Sequence, residues 1–184
     1  MKQAIIHKTI TSEEEYLLFE EQNEERHELI NGNLFVMSGV SKEHYYLTLA
    51  ISVLFTRLLH GTNYQVFGEM IKAKTPDGNF FYPDVMICHP DVHEYFSSEA
   101  VLILEVLSKS TRRFDLTDKF IQYQKINTLQ YYLCMEQKQQ KVFFYSNDAK
   151  GKWQSETFSD AKDIISLKAL NISFAVGQLY DKAI

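Results

Sequence analysis

The sequence predicts an α/β protein of the α+β type, in which helices flank a mixed β-sheet and an N-terminal helix and a β-hairpin come first. Three features of the pattern lead to this prediction. A long amphipathic helix follows the hairpin, apolar segments typical of strands recur within residues 64–108, and a second helix separates them from further strands at 129–146. Such an order of elements is typical of a sheet covered by helices.

Size and composition favour one folded domain. The chain has 184 residues, of which 45% are hydrophobic and 14% aromatic, so it can fill a sizeable core. No apolar run approaches the roughly 20 residues that a membrane-spanning helix needs. The N-terminus becomes acidic too early for a secretory signal, with glutamates at 13–15. We therefore expect a cytoplasmic protein that does not associate with a membrane.

Charge and cysteine content limit the kinds of partner and ligand. The net charge of −5 argues against a protein that coats nucleic acid by electrostatic attraction alone. It does not argue against an enzyme, since carboxylates that hold a metal ion add negative charge. The two cysteines, Cys88 and Cys134, fall inside apolar segments. We expect them to be buried free thiols rather than a disulfide or a metal site.

The N-terminal region carries a helix start and a hairpin turn. Ser12 and Glu15 have the spacing of a capping box, which predicts a short helix over 12–25. Asn31 and Gly32 lie between two apolar runs. They predict a hairpin, because a type I′ turn needs two residues that tolerate positive φ.

The rest of the pattern alternates strands with helices. Ser41 begins a long helix with apolar residues at helical spacing, and Gly61 ends it. A later helix covers 113–125. The segment 100–108 is apolar on both faces, so we expect it at the centre of the sheet. The predicted strands are 64–74, 80–88, 100–108, 129–135 and 141–146, with 153–158 as a further candidate.

Two acidic residues stand out within these apolar strands. Asp84 lies in the strand 80–88 and Glu105 in the strand 100–108. A carboxylate is costly to bury unless a cation meets it, and a divalent metal ion shared by both acids would be such a cation. Lys119 follows on the predicted helix, and the three residue types together suit the cleavage of phosphodiester bonds. Each acid alone also fits a structural role, Asp84 as a turn cap and Glu105 in a salt bridge at a strand edge.

Six short motifs occur in order along the chain: ELINGNLFVMS, SKEH, YPDV, EVLSKST, DLTDKFIQY and LQYYL. Each motif alone is unspecific, but their order and spacing are specific. Together they resemble the Uma-type putative restriction endonuclease family, which belongs to the PD-(D/E)XK nuclease superfamily. The resemblance extends from about Glu28 to about Tyr145.

The resemblance implies a restriction-endonuclease-like core made of a helix, three strands, a second helix and a further strand. This is the order that the pattern itself predicts. We therefore expect a single domain over 1–184, with the core at about 28–146.

The superfamily signature is Pro-Asp followed later by an acid, any residue and lysine. Asp84 follows Pro83, and Glu105 supplies the second acid, but Leu107 stands where the lysine is expected. In Uma-type proteins a lysine on the following helix takes that role, and Lys119 matches it.

The resemblance further implies a Mg²⁺-dependent endodeoxyribonuclease, in which Mn²⁺ can replace Mg²⁺. Asp84 and Glu105 would supply two metal ligands and the carbonyl group of Val106 a third, since Mg²⁺ prefers oxygen ligands. The ion would polarise the phosphate and lower the pKa of a bound water. Lys119 would position that water or offset negative charge in the transition state. DNA is the expected substrate.

Glu28 and His44 are further candidates for the active site. Glu28 lies in the first family motif, where it could complete the metal site or pair with Arg26. His44 lies in the first turn of the long helix. It could contact phosphate, orient a carboxylate, or simply pack at the start of the helix.

Two neighbouring positions also match the family. Asp115 is expected to be the N-cap of the helix that carries Lys119. Ser108 is expected to form a hydrogen bond near the site.

Two other functions stay open at this point. Leu107, in place of the motif lysine, favours a nuclease fold that has lost turnover and only binds nucleic acid. Adjacent aromatic residues favour a homodimer or an interaction protein, because neighbouring side chains of a strand face opposite sides and one could reach the surface. The aromatic pairs are Tyr45-Tyr46, Phe80-Phe81, Tyr131-Tyr132 and Phe143-Phe144.

Overall fold

Two six-stranded mixed β-sheets form the framework of the fold in this computed structural model, which describes residues 5–148 and 150–181, with side chains from Thr9 onwards. The first sheet has the order β1-β3-β2-β6-β5-β8, the second has the order β12-β11-β10-β9-β7-β4, and β13 pairs with β14. The strands are β1 (Ile5–Thr9), β2 (His27–Ile30), β3 (Asn33–Val36), β4 (Gln65–Gly68), β5 (Lys72–Lys74), β6 (Phe80–Phe81), β7 (Val85–Cys88), β8 (Phe96–Ser97), β9 (Ala100–Leu107), β10 (Tyr131–Glu136), β11 (Val142–Asn147), β12 (Trp153–Phe158), β13 (Ile164–Leu167) and β14 (Ile172–Ala175). This mixed arrangement confirms the predicted fold class.

Helices cover both faces of the second sheet. One face packs against α2, and the other packs against a helical segment at 112–123 that joins β9 to β10. The helices are α1 (Glu13–Gln22), α2 (Lys42–Leu58), α3 (Arg112–Phe114), a π-helical turn (Asp115–Lys119), α4 (Phe120–Tyr123), a 3₁₀ turn (Lys168–Leu170) and α5 (Val176–Leu179). Within residues 5–148 and 150–181, no helix has the length and apolar character needed to cross a membrane.

The Ser12 cap of α1 and the turn at Asn31 and Gly32 are confirmed. The Ser12 hydroxyl accepts a hydrogen bond from the Glu15 amide at 3.1 Å, and the Glu15 carboxylate accepts one from the Thr11 amide at 2.9 Å. Asn31 and Gly32 have φ values of 49° and 78°, as a type I′ turn requires. This turn fixes the β2–β3 hairpin, whose first strand carries Glu28.

The segment 100–108 is central, as predicted. All eight residues of β9 are buried, and the strand lies between β7, which is antiparallel to it, and β10, which is parallel. The neighbouring cysteines, Cys88 on β7 and Cys134 on β10, are buried free thiols, which confirms that prediction as well.

Two predicted strands were wrong, because each is divided between the two sheets. The segment 64–74 forms β4 and β5, with a tight turn after Gly68 whose carbonyl accepts the Met70 amide at 2.6 Å. The segment 80–88 forms β6 and β7, with a break at Tyr82 and Pro83. Proline has no amide proton and cannot donate to a strand ladder. The chain therefore passes from the first sheet to the second, and Asp84 lies just before β7 instead of within a strand.

The expectation that one aromatic residue of each strand pair reaches the surface was wrong for Phe80-Phe81 and Tyr131-Tyr132, whereas Phe143 of the last pair is partly exposed. Phe80 and Phe81 are fully buried, as is Tyr132, because these strands are covered on both faces. The exposed pair is on α2 instead, where Tyr45 and Tyr46 keep 52% and 50% of their surface accessible.

Candidate active site

A cleft of about 500 Å³ opens where β7 begins and β9 ends. Every residue proposed for the active site from the sequence lines this cleft. The lining includes Glu28, His44, Asp84, Glu105, Val106, Lys119, Asp115, Tyr82, Gln137, Ser108, Lys109 and Lys138.

The pairing of β7 with β9 brings the two acids together. Val85 pairs with Leu104 in an antiparallel register, so the position before β7 lies level with the position after Leu104. These positions are Asp84 and Glu105. The pairing of two strands therefore brings together two acids that are 21 residues apart in the sequence.

Lys119 meets two carboxylates inside the cleft. Its Nζ lies 2.8 Å from Oε1 of Glu105 and 3.1 Å from Oε1 of Glu28, while Oδ1 of Asp115 lies 3.8 Å away. All four residues are at least nine-tenths buried. The Tyr123 hydroxyl also donates to Oε1 of Glu105 at 3.0 Å. Lys119 therefore lies beside Glu105, one of the two acids singled out from the sequence.

The β2–β3 hairpin and the break at Tyr82 position Glu28. The Tyr82 amide donates to Oε1 of Glu28 at 3.3 Å, and the same oxygen faces Lys119. Since Glu28 belongs to the first sheet and Glu105 to the second, Lys119 links the two sheets.

Each carboxylate oxygen of Asp84 contacts a different nitrogen. Its Oδ2 accepts the Val106 amide at 2.6 Å, and its Oδ1 lies 2.9 Å from Nε2 of His44. In an extended strand the N–H and C=O groups of one residue point to the same side. The Val106 carbonyl group therefore faces the side of the strand on which Asp84 lies.

His44 contacts a second carboxylate that sequence reasoning missed. Its Nε2 lies 3.8 Å from Oε1 of Glu69, and the Thr48 hydroxyl donates to that oxygen at 3.1 Å. Ligand atoms of His44, Glu69 and Asp84 all lie within 4.8 Å of one another, so these side chains could hold a metal ion. In the sequence, an acidic residue directly after Gly68 was the available sign of this ligand. Its side chain reaches His44 only because the chain turns after β4.

Burial and charge shift the ionisation of these groups. Burial raises the pKa of Glu105 to about 8, with Asp84 and Asp115 acting in the same direction and Lys119 opposing them. Burial alone would lower the pKa of Lys119, but the surrounding carboxylates hold it well above its usual range. Likewise, burial opposes ionisation of His44, but the hydrogen bond and charge of Asp84 give a net rise in its pKa. Lys119 therefore keeps its positive charge inside the cleft.

The predicted N-cap role of Asp115 was wrong. Asp115 lies inside the helical segment at the start of the π-helical turn, and its side chain is buried beside Lys119. Ser108 forms the cap-like contact instead, since its hydroxyl accepts the Thr111 amide at 3.1 Å. The helical segment begins at Arg112, whose amide donates to the Ser108 carbonyl at 2.9 Å.

Leu107 occupies the position of the motif lysine but is buried in the core, and the lysine beside Glu105 is Lys119 of the helical segment. Leu107 is 3% exposed and packs in the apolar cluster under the helical segment, two residues after Glu105 on the same strand face. Lys119 reaches Glu105 from the helix that covers this face.

The donor set fits a hard divalent cation. Asp84 and Glu105 supply carboxylate oxygens at one level of the sheet, and the Val106 carbonyl group faces the same side as Asp84. Oxygen ligands of this kind suit Mg²⁺.

Comparison with known proteins places the chain in a family. A family model described as "Uma2: Putative restriction endonuclease" matches residues 13–177. The chain belongs to the Uma2 family. This confirms the resemblance seen in the sequence and supports a nuclease-like function with a nucleic-acid substrate.

The Uma2 assignment agrees with two relatives and a solved structure. The chain is 32% identical over 173 residues to uncharacterized protein slr1290 of Synechocystis sp., covering 92% of this chain and 90% of that protein. It is 32% identical over 145 residues to uncharacterized protein sll1609 of the same organism, covering 76% and 82%. A crystal structure from Anabaena variabilis, titled a putative nuclease belonging to DUF820, has a TM-score of 0.75 at 14% identity, covering 91% and 97%. That structure shares the fold.

Proposed function

We propose that this protein is a Mg²⁺-dependent endonuclease that hydrolyses phosphodiester bonds of DNA in the cytoplasm, with residues 1–184 forming one restriction-endonuclease-like domain. One observation carries the proposal. Lys119 lies 2.8 Å from Glu105 in a cleft where Asp84 sits level with Glu105 on the neighbouring strand. The fold thus brings together two acids and a lysine that span 35 residues of sequence, from Asp84 to Lys119.

Asp84, Glu105 and the carbonyl group of Val106 would hold the metal ion. Mg²⁺ supplies Lewis acidity, which polarises a phosphate oxygen and lowers the pKa of water. His44 orients Asp84 through the contact between Nε2 and Oδ1. Mn²⁺, which also accepts carboxylate and carbonyl ligands, is expected to replace Mg²⁺.

Lys119 is the cation that the chain itself supplies. Its ammonium group can donate to the attacking water or to a phosphate oxygen, and it offsets negative charge that develops in the transition state. Glu28 and Glu105 restrain this side chain from opposite sides. We therefore assign Glu28 a positioning role.

Two lysines at the rim of the cleft would contact the DNA backbone. Lys109 and Lys138 line the opening, whereas the nearby Arg112 is paired with Glu136 at 2.9 Å. With a net charge of −5, the protein as a whole repels DNA, so local contacts of this kind must provide the attraction.

Cleavage of a supercoiled plasmid tests the proposal, because a circle without ends is cut only by an endonuclease. With Mg²⁺ or Mn²⁺ we expect nicked and linear products, and Asp84→Asn should lower the rate at least about 100-fold. Asp118→Asn is the matched control, because it removes an exposed carboxylate from the helical segment and should leave the rate unchanged. Wild-type rates in Asp84→Asn would refute the assignment.

The burial of Leu107 at the motif position favours a second candidate, a nuclease fold that binds nucleic acid without turnover. The same experiment separates the two functions. A protein that retards the plasmid in gels but leaves it intact under either ion would be such a binding module.

A further inference from the structure

Three carboxylates lie near the point where β4 ends and β7 begins beside β9. Gly68 pairs with Val85, and Val85 pairs with Leu104. Glu69 follows Gly68 at a tight turn, Asp84 comes directly before Val85, and Glu105 follows Leu104 within β9. Neighbouring strands lie about 4.8 Å apart, so Asp84 has one acid of a neighbouring strand on each side.

On the Glu69 side, His44 adds a nitrogen ligand. Nε2 of His44 lies 2.9 Å from Oδ1 of Asp84 and 3.8 Å from Oε1 of Glu69. Two ligands about 2.1 Å from one ion lie about 3.0 to 3.4 Å apart in octahedral or tetrahedral geometry. These two separations differ from this range by only a few tenths of an ångström, and ligand atoms of all three side chains lie within 4.8 Å of one another. Binding of an ion would draw the three side chains together.

Local structure orients both partners of Asp84. The amide of His44 donates to Ser41 at the start of α2, which fixes the first turn of the helix. Thr48, one turn further on, donates to Oε1 of Glu69. The side chains of His44, Asp84 and Glu69 are 7%, 14% and 20% exposed, so an ion could reach the group from solvent.

We propose that Asp84 is shared between two cation positions, and that the second position, formed by His44, Glu69 and Asp84, takes a transition-metal ion in preference to Mg²⁺. The role of this second position in a two-ion nuclease centre rests on the proposed function. Imidazole is a ligand for transition metals, whereas Mg²⁺ demands oxygen ligands. Two ions that act on one phosphate are about 3.5 to 4 Å apart, which is compatible with positions on either side of one carboxylate.

Titration with Mn²⁺ alone, without DNA, tests the second position. Calorimetry should give about two Mn²⁺ per wild-type chain and about one for Glu69→Gln and for Glu105→Gln. Electron spin echo measurements should show coupling of Mn²⁺ to an imidazole nitrogen in wild type and in Glu105→Gln. His44→Ala should abolish this coupling. Glu43→Gln, an exposed acid beside His44 on the same helix, is the matched control and should behave as wild type.

The outcomes separate this inference from the proposed function. One Mn²⁺ per wild-type chain without nitrogen coupling would overturn the second position, even if Mg²⁺ supports cleavage. Unchanged stoichiometry and coupling in Glu69→Gln would also overturn it. Nitrogen coupling that depends on His44 and Glu69 would support the second position, even in a protein that does not cut DNA.

Discussion

Lys119 shows how a single residue can serve both stability and chemistry. It is the cation that faces Glu105, Glu28 and Asp115, all of them buried. Removing one partner from a buried ionic group leaves charges without compensation, which is far more costly than losing an exposed pair.

We therefore predict that Lys119→Met lowers the free energy of unfolding by about 3 to 5 kcal/mol. Lys125→Met is the matched control, because Lys125 forms an ion pair with Asp77 in which both side chains are 40% exposed. Its effect should be within about 1 kcal/mol. Urea denaturation monitored by circular dichroism measures both. Equal effects of the two substitutions would contradict the buried ionic cluster.

The two buried thiols give a prediction on their reactivity at mildly alkaline pH. Burial raises the pKa of Cys88 to about 11 and that of Cys134 well above its usual range. An unfolded thiol ionises near 8.5, so stability from these groups is fully present below that pH and is lost as pH rises through the folded pKa. At pH 8 we expect Ellman's reagent to label neither cysteine quickly in the native protein and both in urea. Rapid labelling of the native protein would contradict their burial.

At the scale of elements, the β2–β3 hairpin depends on its turn. Gly32 has φ of 78°, and a Cβ there would lie 3.3 Å from the Ile10 carbonyl oxygen. We predict that Gly32→Ala lowers the free energy of unfolding by about 1 to 2 kcal/mol, because a side chain disfavours this backbone conformation. Gly39→Ala, where a Cβ meets nothing within 4 Å, should change it by less than about 0.5 kcal/mol. Thermal unfolding of the two variants gives the comparison.

Local signals predicted the elements well, and long-range pairing explains the failures. Asn31 and Gly32 define their turn within a few residues, so the sequence was sufficient there. Pro83 marks one break locally, but the sheet that each half of 64–74 and 80–88 joins is set by long-range strand pairing, which no local pattern reports. Glu69 was missed for the same reason, since its place beside His44 and near Asp84 depends on the pairing of β4 with β7.

At the scale of the whole molecule, the exposed aromatic pair on α2 is the surface on which a homodimer could form. The rings of Tyr45 and Tyr46 lie 5.9 Å apart and both are half exposed. We predict that the wild type is a homodimer in light scattering and that a double substitution to serine shifts the mass to that of a monomer. Tyr95→Ser, a change at another exposed tyrosine, is the control. A wild-type monomer at high concentration would contradict the prediction.

The link that Lys119 makes between Glu28 of the first sheet and Glu105 of the second has an evolutionary consequence. The side chains proposed to act on a phosphate also form the ion pairs that join the first sheet to the second. Under the proposed function, natural selection for folding and selection for activity act on the same side chains. A lineage that no longer needed the reaction would still keep these residues, so their persistence in a descendant would not by itself indicate that it still cuts DNA.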